Sequence, residues 1–199
     1  MVFDALIWYH DTIKQVFPER GMFMLFQVVQ NDITKMETDA IVNAANSGLQ
    51  MSGSVCGAIF RAAGETQMQE ACNRYGFCSA GEAVITPGFN LPAKYVIHTV
   101  GPRWYGGDHG EEQQLYSAYG NSLRLAEKHG IRSIAFPLIS AGNFGFPRRK
   151  AMGVAAFTIR EYLRKNNSDM EVYLVLYDWD AIQIGKEVFP DMKMLTSAR

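Results

Sequence analysis

The sequence predicts an α/β protein with a central mixed sheet covered by helices on both faces, a three-layer α/β/α sandwich. Short apolar runs of strand length alternate with longer segments whose apolar residues recur at helical spacing. Two of the predicted strands run directly into loops rich in glycine and serine. Neither a linker nor an internal repeat divides the 199 residues, so we expect one compact domain over residues 22–199.

The charge and cysteine content exclude several classes of function. A net charge of −1 gives no global positive field and disfavours nucleic acid as a partner. No run of eighteen apolar residues occurs, and Asp4 and Asp11 stand where a signal peptide is basic, so we expect no membrane association. Cys56, Cys72 and Cys78 lack metal-ligand spacing, which predicts reduced thiols in a cytoplasmic protein and no metal site.

The N-terminal part of the chain predicts an appended helix and a buried strand. Residues 1–21 carry apolar residues at helical spacing and end near Pro18 and Gly21, which indicates a short amphipathic helix outside the main domain. Met22 to Val29 is almost entirely apolar, as in a strand buried on both faces. A polar turn follows over residues 30–34, and its Asp32 is of the type that commonly starts such turns.

The stretch from Asp39 to Gly64 predicts a phosphate-binding site. A short strand, Ala40 to Val42, leads into a loop of small residues and then into a helix from about Val55. Loop amides and the first N–H groups of a helix lack partners there, and the helix dipole adds partial positive charge. Asn43 and Asn46 follow the strand, where open α/β sheets bind ligands. We therefore expect a phosphate-bearing small molecule as ligand and no additional cofactor.

The rest of the chain continues the alternation of strands and helices. His98 lies within one strand, where a lone histidine is more often a hydrogen-bonded core residue than a catalytic base, so we assign it no catalytic role. The predicted elements are a helix over residues 65–75, strands over 83–86 and 95–100, a helix over 111–129, a strand over 133–138, a helix over 147–165, a strand over 172–177 and a helix over 178–188.

A second loop of small residues follows the strand at residues 133–138. It runs from Ile139 to Phe146, and the next residue, Pro147, suits the first turn of a helix. Two loops of this kind predict a site that holds a diphosphate between them. Phe144 and Phe146 lie on this loop, and stacking on a ligand and packing in the core suit their position equally well.

Several short motifs carry a resemblance to a known family. They are NDIT at 31–34, DAIVNAAN at 39–46, GAIFRAAG at 57–64, LPAKYVIHTVGP at 91–102, SIAFPLISAGNFGFP at 133–147 and LYD at 176–178. Together they resemble the macrodomains, and most of all the branch whose members remove ADP-ribose from proteins or deacetylate O-acetyl-ADP-ribose. The resemblance implies a macrodomain over residues 22–199, with ADP-ribose, ADP-ribosylated protein and O-acetyl-ADP-ribose as partners.

The resemblance also implies roles for individual residues. It implies that Asp32 accepts a hydrogen bond from the adenine amino group beside the Ile33 amide, and that Tyr177 stacks on the adenine. Asn46 is implied to hold the distal ribose, and Asn43 to support the loop of Asn46. The residues implied to wrap the diphosphate through backbone amides are Ser52, Gly53, Ser54, Val55, Ser140, Ala141, Gly142, Asn143 and Phe144, the last of which also flanks the distal ribose.

Two departures from the family pattern leave the activity open. In the hydrolases of that branch an aspartate helps to position the attacking water, and Cys56 occupies its place in this chain. Phe60 replaces the usual histidine one helical turn later. The retained motifs suit equally a hydrolase of ADP-ribose esters, with Asn46 and Cys56 at its catalytic centre, and a module that only binds ADP-ribose. The missing aspartate favours the alternative, a non-catalytic module that binds ADP-ribose.

Overall fold

A computed structural model of the chain describes residues 25–190. The helix predicted for residues 1–21 lies outside this range, as do the first residues of the strand predicted from Met22. Across residues 25–190, none of the helices combines the length and the apolar composition that a membrane-spanning helix requires.

Within the described residues, six strands form one central sheet. They are β1 (Phe26–Gln30), β2 (Ala40–Ala44), β3 (Ala83–Pro87), β4 (Tyr95–Thr99), β5 (Ser133–Pro137) and β6 (Glu171–Leu176). Their order across the sheet is β1-β6-β5-β2-β4-β3. Every neighbouring pair is parallel except β3 and β4, which are antiparallel. The predicted mixed sheet is therefore confirmed.

Five α-helices of the described residues accompany this sheet. They are α1 (Ser54–Ala63), α2 (Glu65–Asn73), α3 (Glu111–Lys128), α4 (Arg148–Lys165) and α5 (Trp179–Val188), and a short 3-10 turn, Ile33–Lys35, follows β1. The predicted bounds agree with these to within about two residues, which is the usual uncertainty of helix ends. The helix predicted over 65–75 ends at Asn73, and Pro147 precedes α4 instead of lying in its first turn. The strand β2 continues to Ala44, so Asn43 lies within it and not after it as predicted.

Successive residues of the central strands pack into two cores, one on each face of the sheet. On β2, Val42 belongs to the core that also contains Ile159 of α4. Its neighbour Ile41 belongs to the opposite core, together with Ile59 of α1 and Met68 of α2. Because successive strand side chains point to opposite faces, and both faces of β2 are covered, Ile41 and Val42 must both be apolar. Helices on both faces confirm the three-layer sandwich.

The carboxyl ends of the parallel strands meet at one edge of the sheet. There β5 lies between β2 and β6, so the loops that follow β2 and β5 are neighbours. The Asn31 N–H donates to Leu176 O at 3.2 Å, which holds the turn after β1 against the end of β6. Open α/β sheets bind ligands at this edge.

Candidate functional site

A cavity of about 430 Å³ opens at the carboxyl edge of the sheet. It is formed by the turn after β1, the loop between β2 and α1, the loop between β5 and α4, and the junction of β6 with α5. Its volume is within the range of small-molecule sites. The predicted site residues that line it are Asp32, Ile33, Asn46, Ser52, Gly53, Ser54, Val55, Ser140, Ala141, Gly142, Asn143, Phe144 and Tyr177, which leaves only Asn43 and Cys56 off its wall.

Asp32 occupies the end of the cavity formed by the turn after β1. Its Oδ1 accepts hydrogen bonds from the backbone N–H and the hydroxyl of Thr34, at 2.9 and 2.8 Å, and so starts the 3-10 turn. Because these bonds use Oδ1, the second carboxylate oxygen stays available to a ligand. Nearby, the Tyr177 side chain is 76% exposed and offers a ring face to a planar group.

The first loop leads into α1 without a side-chain cap. Gly53 precedes the helix in an extended conformation, and no side chain accepts from the first helical N–H groups. Ser54 has a φ of +58°, in the left-handed region, which costs a residue with a Cβ about 1–2 kcal/mol. With no acidic residue in the first turn, the N–H groups and the helix dipole remain uncompensated. This end of α1 therefore suits an anion.

The second loop has the same properties. Ser140 has a φ of +65°, and its hydroxyl is buried with no hydrogen-bond partner among the described residues. The Phe146 N–H donates to Ser140 O at 3.0 Å, which closes the loop, and α4 begins without a side-chain cap. A Cβ on Gly101 would lie 2.1 Å from Ser140 Oγ, so the loop requires glycine at position 101.

The structure separates the roles of the two phenylalanines on this loop. Phe146 is 1% exposed, and its ring centroid lies 4.6 Å from that of Trp104, so it is a core residue. Phe144 is half-buried and lines the cavity. The Arg103 guanidinium lies 4.6 Å from its ring centroid. Of the two rings, Phe144 is therefore the one that a ligand can reach.

Asn46 is oriented by a neighbour in its own loop. Its Nδ2 donates to Gln50 O at 2.7 Å, and its Oδ1 accepts from the Gln50 N–H at 3.1 Å. A primary amide has two N–H groups and two acceptor lone pairs, so one of each remains for a ligand. Asn46 thus reaches the cavity in a fixed orientation.

Asn43 and Cys56 lie beneath the same loop. They are 0% and 2% exposed, and neither is among the residues that line the cavity. Asn43 Nδ2 donates to Cys56 Sγ at 3.6 Å, and the thiol donates to Gln50 O at 3.8 Å. Cys56 therefore contacts the residue that orients Asn46, but it reaches the cavity only through that contact.

His98 is a buried core residue, as predicted, and Cys72 and Cys78 are buried as well. Asn43 Nδ2 donates to His98 Nδ1 at 3.0 Å, so the proton of the neutral ring is on Nε2, which lies 2.9 Å from Thr86 Oγ1. Burial lowers the pKa of His98 to about 3. Burial raises the pKa of Cys72 to about 12 and that of Cys78 to about 11, aided by Cys56 and Glu82 respectively. Within residues 25–190 no cluster of His, Cys, Asp or Glu is arranged to hold a metal ion.

We expect His98 to make the protein less stable in acid. In the folded protein the His98 ring stays neutral down to about pH 3, whereas in the unfolded chain His98 becomes protonated near its ordinary pKa of 6.5. The free energy of unfolding is therefore unaffected by protonation of His98 above pH 6.5, and it falls by about 1.4 kcal/mol per pH unit as the pH drops from 6.5 toward 3. Urea unfolding between pH 7 and 4 measures the slope, and His98→Gln, which can keep both hydrogen bonds, should give a shallower one. Parallel curves for the two proteins would contradict this expectation.

Arg148 is a cation of the cavity that the sequence analysis missed. It lines the cavity at the first position of α4, with Nη2 3.4 Å from Asp178 Oδ1 and Nη1 3.6 Å from Asp180 Oδ2. Asp178 also caps α5 by accepting from the Ala181 N–H at 2.9 Å. A basic residue in the first turn opposes the helix dipole. An arginine at an unfavourable helix position, directly after a glycine-rich loop, is the sequence signal from which a role of Arg148 in the site could have been predicted.

The chain is similar to known proteins over most of its length. Residues 42–155 match the family model described as Macro domain. The chain is 50% identical over 161 residues to a Macro domain-containing protein of Methanosarcina mazei, covering 81% of this chain and 86% of that relative. It is 50% identical over 155 residues to an O-acetyl-ADP-ribose deacetylase of Escherichia fergusonii, covering 76% and 87%.

Two solved structures are similar in fold. The Oceanobacillus iheyensis macrodomain with ADP superimposes with a TM-score of 0.76 and 37% identity, over 82% of this chain and 90% of that one. The Trypanosoma brucei macrodomain in complex with ADP-ribose superimposes with a TM-score of 0.78 and 32% identity, over 86% and 72%.

Proposed function

This chain belongs to the macrodomain family, and from that premise we propose that it binds ADP-ribose and hydrolyses ADP-ribose esters. The candidate substrates are O-acetyl-ADP-ribose and mono-ADP-ribosylated proteins. One observation carries the proposal: two loops with uncapped helix N-termini face a single cavity. That arrangement supplies backbone donors to two phosphates at once.

The same cavity supports an orientation for the ligand. The adenine lies at Asp32 and Tyr177, where a free carboxylate oxygen accepts from its amino group and an exposed ring stacks on it. The diphosphate lies between the loops that begin at Ser52 and Ser140. The distal ribose then lies at Asn46 and Phe144, with the remaining amide N–H and lone pair of Asn46 directed to its hydroxyls.

Hydrolysis in this arrangement depends on positioning and electrostatics. A water held between Asn46 and the substrate's own phosphate adds to the acetyl carbonyl of O-acetyl-ADP-ribose. The bond from the carbonyl carbon to the ribose oxygen then breaks, one proton of the water passes to that oxygen and the other is released to solvent, and acetate and ADP-ribose leave. Fixed N–H donors around the phosphates need no reorganisation as charge develops, which lowers the barrier.

A second candidate function is supported by the surroundings of Cys56. The residue is 2% exposed and contacts Asn43 and Gln50 instead of the cavity. A thiol in that place is a small, weakly polar group and does not orient water as a carboxylate does. On this alternative the chain is a module that binds ADP-ribose without turning it over.

Calorimetry with ADP-ribose, combined with mass-spectrometric detection of products from the two substrates, tests the proposal. We expect the wild type to bind ADP-ribose, and Asp32→Ala to weaken binding tenfold to a hundredfold. Leaving the adenine amino group without a charged acceptor costs about 1.5–3 kcal/mol. Far-ultraviolet circular dichroism controls for the lost start of the 3-10 turn. Equal affinity in a folded Asp32→Ala variant would remove Asp32 from the site, whereas binding without product would favour the second candidate.

A further inference from the structure

A second cleft lies next to the cavity and shares part of its wall. This side cleft, of about 790 Å³, is lined by Arg103, His109 and Gln114 among others, and it shares Gly101 and Phe144 with the main cavity. Because the proposed function puts the distal ribose at Phe144, the side cleft begins where a group attached to that ribose would leave the main cavity.

The outer wall of the side cleft is a loop folded around one carboxylate. Glu111 accepts hydrogen bonds from the backbone N–H groups of Tyr105, Gly107 and His109, at 3.0, 3.2 and 2.7 Å. Its side chain is 2% exposed. Burial acts to raise the pKa of Glu111, but these bonds and one from its own N–H outweigh burial and lower it to about 2. Glu111 therefore lines the side cleft, but its carboxylate is almost completely buried and its negative charge is stabilised by the N–H groups of the loop.

Arg103 carries a positive charge at the side cleft, and no described residue pairs with that charge. Its guanidinium lies over the Phe144 ring, and it forms no ion pair within residues 25–190. The Trp104 N–H donates to Phe144 O at 2.8 Å, which fixes the backbone beside Arg103 to the loop of the main cavity. A planar guanidinium held in this way can still form two parallel hydrogen bonds with a carboxylate.

We propose that the side cleft binds an acidic peptide segment flanking the ADP-ribosylated residue of a protein substrate, with Arg103 pairing to one of its carboxylates. The inference rests on the proposed function, since it takes the distal ribose to lie at Phe144. A nucleic acid carrying ADP-ribose would also present anions, but its backbone is recognised through several cations. Among the described residues that line the side cleft there is one arginine and no lysine.

The test compares three synthetic peptides that carry ADP-ribose on a central serine. The linkage is a glycosidic bond, and the flanking residues are aspartates, asparagines or lysines. At low ionic strength we expect the aspartate peptide to bind about threefold to tenfold more tightly than the asparagine peptide, as one exposed ion pair allows. Each peptide affinity is divided by the affinity of the same variant for free ADP-ribose. This division removes any change in ADP-ribose binding that a substitution of Arg103 causes through the Phe144 ring.

Three variants identify the source of the preference. Arg103→Gln should bring the aspartate-to-asparagine ratio to about 1, and Arg103→Lys should keep most of it. Arg132→Gln removes the same charge from an exposed residue at the opposite end of β5 and should leave the ratio unchanged.

The possible outcomes separate this inference from the proposed function. If free ADP-ribose does not bind to the wild type, the proposed function fails and the inference with it. If ADP-ribose binds and the three peptides bind equally, the inference alone is overturned. Tighter, Arg103-dependent binding of an ADP-ribosylated oligonucleotide would overturn it in favour of nucleic acid.

Discussion

Adenosine is expected to bind at least a hundredfold more weakly than ADP-ribose. The loops that begin at Ser52 and Ser140 lead into helices without side-chain caps, so their N–H groups are free to bind phosphate. A hydrogen bond to a charged group contributes about 1.5–3 kcal/mol. Loss of the diphosphate removes such bonds from both loops, which corresponds to a factor of about 10² to 10⁴ in affinity.

Calorimetry with adenosine, ADP and ADP-ribose measures this difference, and Gly142→Val adds a matched test. A Cβ at Gly142 meets no protein atom within 4 Å, so the substitution should leave the free energy of unfolding nearly unchanged. A side chain there would instead hold the phosphate away from the backbone. We expect Gly142→Val to weaken ADP-ribose binding and to leave adenosine binding as it was. Similar affinities of the wild type for adenosine and ADP-ribose would disprove phosphate binding by the two loops.

Cys56→Asp is expected to raise the rate of ester hydrolysis about 10²-fold. Cys56 is the third residue of α1, where the helix dipole stabilises an anion, and Asn43 Nδ2 already donates to its side chain. A carboxylate cannot make the thiol's hydrogen bond to Gln50 O, but it extends one atom further than the thiol and can accept a hydrogen bond from a water at the edge of the cavity. One acid–base group positioned in this way contributes about 10²- to 10⁴-fold. Affinity for ADP-ribose should change little or fall slightly, because the new charge repels the diphosphate.

Single-turnover release of ADP-ribose distinguishes the roles open to position 56. Cys56→Asn has nearly the shape of aspartate without its charge, and Cys56→Ala removes the polar atom. If Cys56→Ala abolishes a fast wild-type rate, the thiol itself is catalytic. If all four proteins react equally fast, the substrate activates the water and position 56 does not decide activity. An increase in Cys56→Asp alone would identify the missing carboxylate as the cause of slow turnover.

The cavity depends on contacts between residues that are distant in the sequence. Asp32 and Tyr177 become neighbours only because β1 pairs with β6, with Gln30 opposite Leu176. The apolar runs locate the strands along the chain, but they do not indicate which strand pairs with which in the sheet. The resemblance to macrodomains brought these residues into one predicted site, whereas the local sequence alone indicated only that Asp32 starts a turn.

The sequence by itself determined the helices and strands and predicted the kind of ligand. Short, nearly continuous apolar runs located the strands, and apolar residues with a period of about 3.6 located the helices. Small residues after β2 and β5 predicted the phosphate loops. These features were predictable because each depends on residues within one turn or one strand.

Only the tertiary structure decided which side chains face the cavity. It buried Phe146 against Trp104 and left Phe144 on the wall, although both belong to one short loop. It put Cys56 under the loop and Arg148 at the cavity. The direction of a loop side chain follows from packing against distant segments, because a loop has no regular period that relates sequence position to a face.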